Sequence, residues 1–176
     1  MTAATLRSDM LRRPLLAIAL TAAPLGAMAQ PVYETSQRGG VINVAKSDPE
    51  MGAAIEKGRA TLPEFLALAA APHQGQTGFA VKVGFTGPQG RNEFFWVMPF
   101  TATGDRVSGT LDNNPVYATQ LHKGQTVSFG RDEVIDWSYL DSAGLHGHYT
   151  TCVILRRASE ADRVQFRKRM ALNCER

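Results

Sequence analysis

No run of residues beyond position 29 approaches the roughly 20 apolar side chains that a membrane-spanning helix needs, so no stable anchor is expected in the body of the chain. Cysteine is scarce. Cys152 and Cys174 are the only two, and the C-x-x-C spacing of a redox-active pair is missing. Also missing are a phosphate-binding glycine loop, H-E-x-x-H, a G-x-S-x-G elbow, and S-x-x-K near a strand-to-helix turn. These gaps weigh against catalysis, and no cofactor is expected. There is no internal repeat or low-complexity block, which points to one ordinary domain.

What is present begins with an address. Arg7, Arg12 and Arg13 form a basic start, Pro14 to Leu25 is almost wholly apolar, and Ala27-Met28-Ala29 offers a small-x-small cleavage site before Gln30. Residues 1–29 therefore read as a signal peptide. The protein is expected to be extracytoplasmic, in the periplasm, after cleavage near Ala29. Arg12-Arg13 leaves both the twin-arginine and the general export route open. No cysteine follows the apolar run, so no lipoprotein acceptor is expected.

Export reshapes the remaining composition. Those three arginines against Asp9 supply +2 of the net +3, leaving +1 on the mature chain. Residues 30–155 hold 9 basic and 12 acidic side chains, whereas 156–176 hold 7 and 3. The basic end is read as a solvated helix face carrying Arg163, Arg167, Lys168 and Arg169. Phe166 is its only aromatic, and an exported protein meets little nucleic acid, so no nucleic-acid partner is expected. In an oxidising compartment Cys152 and Cys174 are expected to form one disulfide, worth about 3 kcal/mol on the chain-entropy model.

Hydrophobic spacing predicts an α+β domain. Residues 30–47 read as an extended or disordered lead-in, with a short strand at Val41–Val44, before a single domain at 48–176. Asp48 as N-cap and Pro49 at the first position start one helix, with Met51, Ala54, Ile55 and Gly58 on one stripe. A capping box at Thr61 and Glu64 starts a second, with Leu62, Phe65, Leu66 and Ala69 inward, and Pro72 closes it. Period-2 alternation then marks strands around Phe79–Phe85, Glu93–Met98, Val107 and Val127–Phe129. Val116–Leu121 reads as strand or short helix. Val134–Leu140 and Leu145–Leu155 read as a hairpin turning at Asp141–Gly144. The expected whole is an N-terminal helix pair packed on a mostly antiparallel sheet of about five or six strands, with a C-terminal helix capped by Ser159.

Chemistry-bearing residues are few. His146-x-His148, on alternate positions of a strand, can present two imidazoles to one metal, with Asp136 or Asp141 as third ligand. The competing view is an exposed strand with no metal. A hydrolytic reading takes His146 or His148 as base, Asp136 to orient it, and Ser138 or Ser142 as nucleophile. Asp136-Trp137 is better explained structurally, the indole anchoring the core and the carboxylate accepting backbone N–H groups of a neighbouring turn. Asp112 to Pro115 is a turn, or else a recognition loop.

The ordered series Asp48–Ala60, Thr61-Leu62-Pro63-Glu64-Phe65, Phe79–Val83, Glu93–Val97, Gly124-Gln125, Val134–Tyr139 and Gly147–Thr150 resembles the YegJ-like domain-of-unknown-function family, number 2314. The resemblance covers about residues 48–156. It implies helices before a small sheet, with a D-W-x-Y segment (Asp136, Trp137, Tyr139) leading to a G-x-Y-T segment (Gly147, Tyr149, Thr150). The family supplies no catalytic residues, and its pattern requires neither His146 nor His148. The expected protein is a small non-enzymatic binding module with an unidentified protein or small-molecule partner; the alternative is a hydrolase, metal-assisted or not, centred on His146, His148 and Asp136.

Overall fold

The computed structural model of the chain describes residues 33–35, 42–44, 48–172 and 174. The expected signal segment, residues 1–29, and most of the lead-in lie outside them. Within the lead-in, β1 (Tyr33–Thr35) pairs antiparallel with β2 (Ile42–Val44).

The two expected helices are one, α1 (Pro49–Ala70). Asp48 caps it, its carboxylate accepting the Met51 N–H at 2.9 Å. Thr61 starts no second helix, because its hydroxyl donates to the Lys57 carbonyl one turn back at 2.8 Å. Pro63 removes one helical bond, a defect of about 3 kcal/mol in a helix interior. The helix continues through it because Gly58, Leu62, Phe65 and Leu66 form an unbroken buried stripe across that point.

The main sheet holds β3 (Thr77–Thr86), β4 (Asn92–Thr103), β5 (Arg106–Leu111), β6 (Thr126–Gly130), β7 (Val134–Asp141) and β8 (Gly144–Gly147). Its order is β6-β5-β4-β3-β7-β8, antiparallel throughout. The fold is α+β, and Val116–Leu121 is a loop rather than strand or helix.

Chain connectivity forces the sheet to curl. From Gly130 to Val134 the chain spans at most about 14 Å, yet β6 and β7 stand four strand spacings apart, about 19 Å in a flat sheet. Register shifts in β3 and β4 supply bends along the way. On the inner face Val81, Val83, Phe95, Val97, Val107, Leu111, Phe129 and Trp137 form one core with Leu62, Phe65 and Leu66 of α1. Phe65 stacks on Trp137 with ring centroids 4.8 Å apart, and Phe85 meets Phe129 edge-on.

The hairpin forms, but its second strand stops at Gly147 rather than running to Leu155. From Tyr149 the chain is a helix, α2 (Tyr149–Arg157). Thr150, Thr151, Val153 and Ile154 favour strands by propensity. Two residues overrule them: Gly147 at φ 76° and His148 at φ 55° turn the chain off the sheet. A Cβ on Gly147 would fall 2.0 Å from the Trp137 carbonyl oxygen, so this turn admits only glycine. A last helix, α3 (Glu160–Met170), follows, capped by Ser159 accepting from the Asp162 N–H. Cys152 thus sits on a helix, not a strand, and Cys174 lies past the end of α3. The two are joined, with Cα atoms 5.4 Å apart.

Candidate functional site

Register places Lys82 of β3 directly opposite Asp136 of β7, and α2 begins against this pair. Asp136 Oδ1 accepts the Trp137 N–H at 2.9 Å and the Tyr149 N–H at 3.2 Å. Its Oδ2 accepts the Thr150 N–H at 2.8 Å and the Thr150 hydroxyl at 2.6 Å. A strand carboxylate therefore caps the helix, satisfying amides that no residue of α2 can reach and meeting the positive end of its dipole. The Lys82 ammonium donates to the same hydroxyl at 3.0 Å, so Thr150 Oγ1 bridges cation and anion.

Aromatic rings close the remaining side. Lys82 Nζ lies 5.3 Å from the Trp96 ring centroid, and His148 packs on that indole at 4.3 Å. His148 Nδ1 pairs with the Thr151 hydroxyl at 3.2 Å. Asp136 is 0 % exposed, Thr150 1 %, His148 3 % and Lys82 9 %.

Burial sets the electrostatics. It pushes the Asp136 carboxyl up, against the pull of Lys82 and of the Thr150 and Trp137 hydrogen bonds. It pushes the Lys82 ammonium down, against the attraction of Asp136. His148 falls to about 3 through burial first and Lys82 second, so its imidazole is neutral at ordinary pH. A hydroxyl between lysine and carboxylate is nucleophile chemistry in outline, but Thr150 Oγ1 gives its proton to Asp136 and has no exposed approach for a reacting atom. What this arrangement does is tie β3, β7 and α2 together.

His146 and His148 do not share a face. The strand ends between them, and the left-handed turn sends His148 into the cluster. His146 instead bonds Asp141 Oδ1 at 2.8 Å and stacks on Tyr139 at 4.5 Å. Neither imidazole bonds Asp136, whose acceptors are taken by Trp137, Tyr149 and Thr150. Ser138 is buried on β7, Ser142 is exposed in the hairpin turn, and neither bonds a histidine. Among the described residues no three His, Cys, Asp or Glu side chains gather as a metal set. The two imidazoles that the His-x-His spacing could have offered to one metal are separated by the end of the strand.

Trp137, Tyr139 and Tyr149 serve the core. The Trp137 indole N–H donates to Thr61 Oγ1 at 2.9 Å, Tyr149 meets the indole edge-on at 5.5 Å, and Tyr139 stacks on Phe79 at 5.4 Å. The Asp112–Pro115 segment is pinned: Asn113 Oδ1 accepts the Trp96 N–H at 2.8 Å, while buried Glu93 accepts amides of Val116, Tyr117 and Ala118. A cleft there, lined by Pro88, Gln89, Val116, Tyr117 and Thr119, holds about 70 Å³, room for a few waters. At the basic end, Arg157 grips Asp48 and Arg156 lies 3.6 Å from Glu50.

Sequence reasoning missed Lys82, which sits in the β3 pattern as an outward polar residue, and Glu93, a carboxylate on the same face of β4 as the buried Phe95 and Val97. The available signal was that Lys82 shares its face with the small residues Ala80 and Gly84, which leave room for a covering element.

Fold and cluster define a class: an α+β protein whose curled antiparallel sheet locks a helix through a lysine–threonine–aspartate bridge. The chain belongs to the family described as "Uncharacterized protein conserved in bacteria (DUF2314)", which matches residues 48–174. It is 32 % identical over 72 residues to "Uncharacterized protein YegJ" of Escherichia coli (strain K12), covering 41 % of this chain and 46 % of that relative. It thus spans about half the length of the curated relative it matches. No solved structure matches.

Proposed function

We propose that this protein is an exported, non-enzymatic interaction module of the periplasm, acting on a protein or small-molecule partner. The observation that carries the reading is the closure of the Lys82–Thr150–Asp136 cluster: its lysine, hydroxyl and carboxylate are buried and bonded to one another. Export rests on the basic start, apolar run and small-x-small site of residues 1–29. The Cys152–Cys174 bond suits that compartment, and among the described residues no helix is long and apolar enough to cross a membrane.

Fractionation of cells expressing the full chain, with mass analysis of the product, tests the address. A periplasmic protein beginning near Gln30, with no free thiol, is expected; an uncleaved, reduced cytosolic protein overturns it. Trp137→Ala tests the assignment of the motif residues to the fold. It is expected to lose about 3 to 5 kcal/mol of stability, as deletion of a buried Trp does. Unchanged melting with lost partner binding would reassign Trp137 to recognition. Ester, phosphoester or peptide turnover that disappears in His146→Ala or His148→Asn would sink the non-enzymatic reading.

A further inference from the structure

The C-terminal arm stands apart from the main core. No residue of α3 is buried, and none of its side chains joins the cluster that unites the sheet with α1. It rests instead on a small satellite: Phe166, Met170 and Cys174 half-buried against Cys152, Leu155 and Leu172. Beyond α3 the chain lies along the outer edge of β8. The Leu145 N–H donates to the Ala171 carbonyl at 3.3 Å, Leu145 and Leu172 form a parallel bridge, and Leu172 is 3 % exposed. Seating is close, since a Cβ on Gly144 would fall 2.8 Å from the Ala171 oxygen. Within the arm, Cys174 is bonded back to Cys152 of α2 across 22 positions.

We propose that this disulfide is the hasp of a redox-released strap: closed, it holds α3 and Ala171–Leu172 over the β8 edge; opened, it frees the arm and exposes that edge while the domain stays folded. The satellite is small and separate from the main core, and the described edge contacts gather at Gly144–Leu145, so the covalent bond is the main restraint on the arm. Opening requires a dithiol reductant. Its thiolate attacks Cys174, the more exposed partner, and Cys152 leaves as a thiolate that takes up a proton. The second thiol of the reductant then displaces Cys174 as its thiol, so two electrons and two protons pass to the protein while the reductant becomes a disulfide.

Trypsin reads the arm directly, because Arg163, Arg167, Lys168 and Arg169 all lie on α3. Purified mature protein, oxidised or treated with dithiothreitol, is digested briefly, with Cys152→Ser/Cys174→Ser as a permanently open form. Both open forms are expected to be cut within α3 about 100-fold faster, the factor that opening a ring of this length allows. Exchange at the Leu145 amide should rise in parallel, and reoxidation should restore protection. Tryptophan fluorescence from Trp96 and Trp137 should stay native. Equal cleavage in both redox states would show that packing alone holds the arm, and loss of the native fluorescence on reduction would show that the bond holds the whole domain; either result overturns the strap. Because it uses purified folded protein, the outcome does not depend on where the protein resides.

Discussion

Asp136 carries more of this structure than any other polar side chain, because one carboxylate serves three backbone amides, a hydroxyl and a nearby buried cation. Replacing it with Ala strands the Lys82 charge and leaves buried N–H groups without an acceptor, so a loss of about 3 to 5 kcal/mol in denaturant unfolding is expected. Adding Lys82→Met should recover part of that loss, since the uncompensated charge goes with it. His148 adds a pH dependence. Its folded value near 3 lies below the ordinary 6.5, so between these limits the unfolded chain binds a proton that the folded chain refuses. The neutral imidazole's contribution is complete above 6.5 and declines as pH falls towards 3, by about 1.4 kcal/mol per pH unit at most. His148→Asn, which tolerates the left-handed backbone, should lower stability at neutral pH yet flatten the slope below 6.5. An unchanged slope in urea melts across that range would remove His148 from the account.

At the scale of elements, close backbone approach decides what local propensity cannot. Gly58 sits on α1 where a Cβ would fall 2.7 Å from the Ile135 carbonyl oxygen of β7. Alanine would gain about 1 kcal/mol of helix propensity, but the contact is with backbone that cannot swing aside, and overpacking costs about 1 to 3 kcal/mol. Gly58→Ala should therefore melt lower than the parent, and a higher melting temperature would refute the tight α1–β7 seat. The inward stripes on either side of Pro63 were legible as spacing, as were the alternations of β3 and β4. Their fusion into one helix was not, because Thr61-x-x-Glu64 is a capping signal only when the chain enters from outside a helix. Leu145–Leu155 failed for a related reason: a β-branched run carries no local mark of the distant carboxylate that caps it as a helix.

At the scale of the molecule, the first and last thirds of the described chain are clamped by Arg157 and Asp48, whose Nη2–Oδ1 distance is 2.9 Å. The guanidinium, with the Met51 amide, holds the Asp48 carboxyl at about 2 instead of 3.8. The clamp's contribution is intact above 3.8 and is lost as pH falls through 2. Arg157→Met should return the Asp48 titration towards its ordinary value and move the acid loosening of α1 from α2 to higher pH, as carboxyl-carbon NMR would register; an unmoved titration would deny the clamp. The α+β class, the N-cap at Asp48, the hairpin turn and the cysteine pairing were all determined by the sequence itself, because each depends on local spacing, composition or a count of two. Only the tertiary structure decided that Lys82 is buried, that the two histidines part, and that Tyr149 begins a helix. Those outcomes rest on the β3–β7 register and on the left-handed turn at Gly147 and His148, which bring Lys82, Asp136 and Thr150 together from as far as 68 positions apart.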